Sequence, residues 1–166
     1  MPEGPPAPIV AWRAVPGSDP ARAMSGSGGL RAGGRWHSRG HLVVYLASVP
    51  SLAMLEILAN TTAADLIARD YHLMRVELPA GSVDAFDLAE LPEGWNAPQR
   101  VQATMHLGDA WLAGGGNLAL RVPSALVPLE AEPDEHNFVF NPLHPRAREA
   151  VVTRVLRLPF DSRLKS

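Results

Sequence analysis

The chain has 166 residues, enough for one domain and short for two, and its 46% apolar content supports an ordinary buried core. A net charge of −2 lacks the basic excess of a nucleic-acid binder, and the absence of cysteine excludes disulfides and thiolate metal sites while fitting a reducing compartment. The Pro/Gly-rich start, Met1 to Pro8, has no signal-peptide apolar core, and no apolar run approaches the roughly 18 residues of a membrane helix; the expectation is a cytoplasmic protein with a flexible tail over 1–8 and one domain over 9–164.

Ile9 to Val15, bounded by Pro8 and Pro16, reads as a first strand. Gly17 to Gly34 is a long Gly/Ser-rich loop, and loops of that length in a compact domain are usually functional or mobile. Leu42 to Ala47 is β-branched and almost wholly apolar, which predicts a strand covered on both faces. Pro50 and Ser51 open a helix that runs to about Asn60, with Ser51 as its cap, and a second helical piece covers Ala63 to Arg69. His72 to Leu78 alternates as a half-buried strand does. Leu91 to Trp95 is a turn, Pro98 to Leu112 a helix, and Gly114 to Gly116 its stop.

Leu118 to Val127 reads as a strand interrupted by Pro123, which removes a ladder donor and implies a bulge or an edge. An acidic turn follows over Glu130 to Glu135, then a short strand His136 to Phe140, a short helix Pro145 to Ala150 and a closing strand Val151 to Phe160. Strands and helices do not alternate regularly, so the expected class is α+β.

Certain side chains are out of place in this pattern. Gly40 to Ala64 is 25 residues with one formal charge, Glu56. At roughly 100° per residue, Glu56 falls only about 40° from Leu52, on the apolar side of a helix that is apolar nearly all round. Burying an unpaired carboxylate is costly, so it is paired, protonated or facing a cleft: a structural ion pair or a site carboxylate. Arg35 ends the flexible loop in Gly33-Gly34-Arg35-Trp36, where glycines allow close backbone approach and a guanidinium fork fits phosphate; alternatively it stacks on Trp36 or pairs with Glu56. No phosphate-binding GxxxxGK[ST] loop is present.

Tyr45 is the one polar side chain in LVVYLA, either core with a satisfied hydroxyl or a flat ring for a base. Arg121 is the one charge from Leu118 to Leu129, and it reads as pairing with the acidic turn or serving a site. Ser124 is a turn hydroxyl or a site group, and no Gly-x-Ser-x-Gly surrounds it to make it a hydrolase nucleophile. His37 and His41 stand four apart, but Gly40 and the loop context argue against a helical metal pair, and there is no HExxH; no metal is expected.

In chain order, Ala11-Trp12-Arg13, GGRW (33–36), VVYLA (43–47), LAMLEIL (52–58), LPEGW (91–95), ATMHLGDAWL (103–112), RVPSALVP (121–128) and HNFVFNPLHP (136–145) resemble the RES domain, the toxin half of a bacterial toxin–antitoxin pair. The match runs from about Val10 to Arg163, and the order and spacing of the segments carry it. The resemblance implies the fold of ADP-ribosyltransferases of the diphtheria-toxin kind, with small sheets around an NAD cleft. Position by position, the family's Arg falls on Arg35, its Tyr on Tyr45, its Glu on Glu56 and its Ser on Ser124. After Gly-Arg-Trp the family commonly has Asn, and here it is His37.

The resemblance further implies an enzyme that cleaves the nicotinamide–ribose bond of NAD. Arg35, Tyr45 and Glu56 would be catalytic, and Arg35, Tyr45, Ser124, Arg121, Trp36 and Asn141 would bind the dinucleotide. NAD is then the substrate rather than a held cofactor, and inorganic phosphate is a candidate co-substrate. Water or phosphate as acceptor gives NAD depletion; a protein acceptor gives ADP-ribosyl transfer. The rival reading is a non-enzymatic module that only holds a nucleotide or a partner. The expected partner is a helix-turn-helix antitoxin, with a homodimer within that complex and no direct contact to nucleic acid or membrane.

Overall fold

The computed structural model describes Gly4 and residues 6–131 and 133–165. Its strands are β1 (Ile9–Pro16), β2 (Val44–Ala47), β3 (Tyr71–Leu78), β4 (Val83–Ala85), β5 (Ala119–Val122), β6 (Asn137–Phe140) and β7 (Val151–Leu158). Its α-helices are α1 (Pro20–Ala23), α2 (Gly28–Arg31), α3 (Pro50–Asn60), α4 (Ala63–Ala68) and α5 (Gln102–Ala113). The strands form one seven-stranded sheet in the order β4-β5-β6-β2-β1-β3-β7, antiparallel except between β4 and β5. That is a mixed α/β domain of the α+β kind, but one continuous sheet replaces the separate small sheets expected.

The sheet is nearly divided. β1 pairs with β3 along its whole length, from Ile9↔Leu78 to Pro16↔Tyr71, yet it meets β2 at one position, Trp12↔Ala47. The Arg13 guanidinium donates to the Tyr45 carbonyl oxygen at 2.8 Å and so adds a side-chain link across this junction. Burial depresses the Arg13 pKa to about 10, and among the described residues its Nε has no hydrogen-bond partner.

Cross-strand partners share a face of a pleated sheet. The rows Tyr45–Val139–Leu120 and Ala47–Asn137–Val122 therefore lie on one face, and the rows Val44–Phe140–Ala119 and Leu46–Phe138–Arg121 on the other. On the first face, Leu120, Val122 and Val139 pack with Trp36, Val43 and Trp95. On the second, Val44, Leu46, Phe138 and Phe140 pack with Val76 and Leu78. α3 lays Leu52 and Ala53 against Ala14, Ala47 and Leu73. A fully buried leucine of this kind contributes about 1.5–3 kcal/mol. α5 comes so close to the GGRW segment that a Cβ at Gly108 would collide with the Trp36 carbonyl, so only glycine fits there.

Several boundaries differ from the sequence reading. The Gly17–Gly34 loop contains α1 and α2, the first capped by the Asp19 side chain on Ala21 N–H. α3 spans the expected residues, but its cap position is Val49; Ser51 lies inside the first turn behind Pro50. α5 starts at Gln102 because Val101 is still extended. β5 stops at Val122, before Pro123, and lies between β4 and β6, so the proline ends an inner strand rather than marking a bulge or an edge. The stretch at 145–150 holds only a 3₁₀ turn, Ala147–Glu149. Glu132 of the acidic turn and half of the expected 1–8 tail (residues 1–3 and 5) lie outside the described residues.

Candidate functional site

α3 carries Glu56 one turn beyond Leu52, and burial of Leu52 and Ala53 fixes the helix rotation that sends the half-buried carboxylate toward the start of β6 and the turn after β5. Glu56 Oε1 accepts from Ser124 Oγ at 2.9 Å and from Asn137 Nδ2 at 2.6 Å. Among the described residues no hydrogen bond falls on Oε2, and no ion pair joins Glu56 to a cation. The carboxylate is thus held by neutral donors, not locked in a salt link. Ser124 is buried, and its Oγ also accepts from Leu126 N–H at 3.1 Å, which fixes the hydroxyl and aims its proton at Glu56. Sequence reasoning missed Asn137; the signal was present, since it is the one polar side chain of β6 (NFVF).

Tyr45 projects from β2 on the same sheet face as Asn137. Its hydroxyl oxygen accepts from Trp36 N–H at 3.0 Å and lies 2.8 Å from His37 Nδ1. Burial pushes the phenol pKa far above its usual value, so it stays protonated. With the hydroxyl engaged, the half-buried ring is what this side chain offers a ligand. A Cβ at Gly34 would stand 2.6 Å from the Tyr45 hydroxyl and 2.7 Å from His37 Cε1, so this glycine admits the tyrosine hydroxyl rather than a ligand.

Gly34 and His37 face each other across a tight turn, the Gly34 N–H donating to the His37 carbonyl at 3.0 Å, which puts Arg35 and Trp36 at its tip. Trp36 turns inward: it is 2% exposed, and its ring meets Phe86 at 5.1 Å and Trp95 at 6.5 Å. Its ring is thus packed within the core, beside the turn that carries Arg35. Arg35 reaches across to the 95–97 segment, donating to the Trp95 carbonyl at 2.6 Å and the Ala97 carbonyl at 2.9 Å. Burial lowers the Arg35 pKa, and the Glu56 carboxylate and then Tyr45 oppose that shift, so these three groups lie within electrostatic reach of one another.

Arg121 and Asn141 are not brought to this cluster. Arg121 is exposed on the opposite sheet face, paired with Phe138, and makes no ion pair among the described residues. Asn141 lies just past the far end of β6 and uses Oδ1 to accept from Leu143 N–H at 3.0 Å in a turn. A hollow of about 240 Å³ is lined by Ser124 with Arg121, Phe86 and His136. A second, of about 380 Å³, lies between α4 and the end of β7. Neither of these two hollows is lined by Arg35, Tyr45 or Glu56. Among the described residues no group of three or more His, Asp or Glu could hold a metal ion, and no helix is long and apolar enough to cross a membrane.

Residues 10–161 match the RES domain family. The chain is 38% identical over 144 residues to Toxin Res of Photorhabdus laumondii subsp. laumondii, covering 86% of this chain and 88% of that protein. Toxin Res of Pseudomonas putida is 38% identical over 160 residues, covering 94% and 99%. The Prs ADP-ribosylating toxin of Sphingobium sp. is 31% identical over 144 residues, covering 85% and 86%. In three dimensions the chain resembles a chain of the M. tuberculosis MbcT–MbcA toxin–antitoxin complex, with a TM-score of 0.70 over 91% of this chain and 84% of that one at 18% identity, a likeness of fold. With the family matched over nearly the whole length and relatives this similar covering most of it, the chain belongs to the RES-domain family.

Proposed function

We propose that the protein is the toxin of a toxin–antitoxin pair and that it breaks the nicotinamide–ribose bond of NAD. The observation that carries this reading is Glu56: one oxygen is gripped by Ser124 and Asn137, and the other is unengaged among the described residues. A carboxylate fixed in this way has an acceptor ready for a ribose hydroxyl and a negative charge ready for a cationic sugar. Family membership and the names of the relatives support the same assignment.

NAD carries a positive charge on its nicotinamide ring. When the ribose C1′–N bond breaks, the electron pair goes to the ring nitrogen and neutralises it, and positive charge develops on the sugar. In the proposed arrangement Glu56 Oε2 holds a hydroxyl of the nicotinamide ribose and stabilises that charge. The Tyr45 ring stacks on the leaving group or the neighbouring base. Ser124 and Asn137 keep the carboxylate oriented. Arg35 binds the phosphates once its fork exchanges the Trp95 and Ala97 carbonyls for phosphate oxygens. That exchange would free the 95–97 segment from the guanidinium.

A nucleophile then bonds to C1′ and releases its proton to solvent. Water or inorganic phosphate as nucleophile depletes NAD, and depletion is the activity proposed. Transfer to a protein is the alternative, favoured by the similarity to the Sphingobium toxin named as ADP-ribosylating. Labelled NAD separates them: label retained on a protein band means transfer, and free ADP-ribose or its phosphorylated form means depletion. If the purified protein releases no nicotinamide, the remaining reading is a binding module. By analogy with the MbcT–MbcA complex, the proposed macromolecular partner is an antitoxin protein.

A further inference from the structure

The protons around Tyr45 can be assigned one by one. His37 is 3% exposed, with Nε2 3.1 Å from the Ala32 carbonyl oxygen and Nδ1 2.8 Å from the Tyr45 hydroxyl. A carbonyl only accepts, so Nε2 carries a hydrogen. A neutral imidazole has a single hydrogen, so Nδ1 is bare and accepts the Tyr45 proton. The Trp36 N–H fills a lone pair of the same hydroxyl. Donors and acceptors are matched only in this state. A protonated His37 would be a second donor to the hydroxyl, and the tyrosine proton would lose its acceptor.

We infer that His37 is a positioning residue: it accepts the Tyr45 proton and so locks the Tyr45 ring to the 34–37 turn that carries Arg35, and its protonation releases that lock. The inference rests on the reading that Tyr45 belongs to the NAD site. The titratable and charged groups facing His37 are Tyr45 of β2, Asp109 of α5, Arg100 ahead of α5 and His41 of the loop. Burial lowers the His37 pKa, and the Ala32 hydrogen bond and Asp109 offset this in part, while His41 and Arg100 add to it. The native state therefore binds fewer protons on His37 than the unfolded chain does. The stability of the lock is present above the unfolded value of roughly 6.5 and is lost as pH falls through the lower folded value.

The test compares wild type, His37→Asn and His37→Leu in NAD cleavage against pH, with imidazole ¹⁵N shifts measured on wild type and Tyr45→Phe. Asn places a polar atom near Nδ1 and does not titrate; Leu does neither. For His37→Leu, kcat/KM should fall by about tenfold, the scale of one buried hydrogen bond. His37→Asn should recover to within about threefold of wild type and lose the part of the acid limb that belongs to His37. The ¹⁵N shifts should show the Nε2–H form at neutral pH, moving in Tyr45→Phe. A folded His37→Leu variant with wild-type kcat/KM and pH profile overturns the inference, as does an Nδ1–H ring indifferent to Tyr45→Phe. If wild type releases no nicotinamide, the NAD reading falls, and the ¹⁵N response alone then sustains or overturns the lock.

Discussion

Ser124 Oγ donates to Glu56 Oε1 across 2.9 Å, tying the turn after β5 to the middle of α3 over 68 residues of sequence. The same oxygen takes a second bond from Asn137, 81 residues away. The carboxylate rotamer is therefore set by two elements outside its own helix. Ser124→Ala and Asn137→Ala should each leave the fold intact and lower kcat of NAD cleavage by roughly tenfold, because a bond to a charged acceptor is worth about 1.5–3 kcal/mol and only part of it concerns orientation. Single-turnover rates on the purified variants check this. Unchanged kcat in both would remove Ser124 and Asn137 from the account.

Tyr45→Phe deletes an oxygen that serves both the Trp36 N–H and His37. Leaving such groups without a partner costs about 1–3 kcal/mol. The variant should unfold at lower urea concentration with an unchanged m-value.

Gly34→Ala should do more damage than an alanine on an open loop. Its Cβ would stand 2.6 Å from the Tyr45 hydroxyl and 2.7 Å from His37 Cε1, so ring and turn must separate. About 1–3 kcal/mol of stability should be lost, as for other overpacked sites, together with NAD cleavage. Gly28, where a Cβ would meet nothing within 4 Å among the described residues, is the control: alanine there should lower neither stability nor NAD cleavage.

Asp84 ties β4 to α5 and to the turn that follows it. Its Oδ2 accepts from Trp111 Nε1 at 3.0 Å and Asn117 N–H at 2.8 Å. The Trp111 bond, then the Asn117 bond, hold the carboxyl below its ordinary value against the opposing effect of burial. The unfolded state thus binds more protons on Asp84. Its contribution is complete above roughly pH 3.9 and disappears as pH falls through the lower folded value. Asp84→Asn should flatten that part of the acid unfolding curve, measured by tryptophan fluorescence or circular dichroism.

What could be read from sequence follows from which forces are local. α3 was legible from Pro50 to Asn60 because a proline opens it and apolar residues run through it, and β1 and β3 were legible within a residue or so at each end. The three-residue β4 was invisible, because it exists only by pairing with β5. Glu56, Arg35 and Tyr45 stood out as polar groups in apolar or glycine-rich surroundings, and the fold places them within electrostatic reach. Arg121 stood out for the same reason and lies on the other face, since charge isolation marks a residue without saying which side of a strand it occupies. The burial of Trp36 was not legible beside Arg35 in the sequence, because it depends on distant neighbours such as Phe86 and Trp95. The partner of Glu56 in β6 depended on register across the sheet, which no local pattern encodes.

The most direct test is nicotinamide release from NAD by the purified protein and its Glu56→Gln variant. Gln keeps an oxygen for Ser124 and Asn137 and replaces the unengaged oxygen with an amide, so the fold should persist while the charge is lost. The wild type should release nicotinamide, and release should fall by at least about 100-fold in Glu56→Gln, the scale expected when a preorganised electrostatic group is removed. A folded Glu56→Gln protein that consumes NAD at near wild-type rate would contradict the proposed role of Glu56.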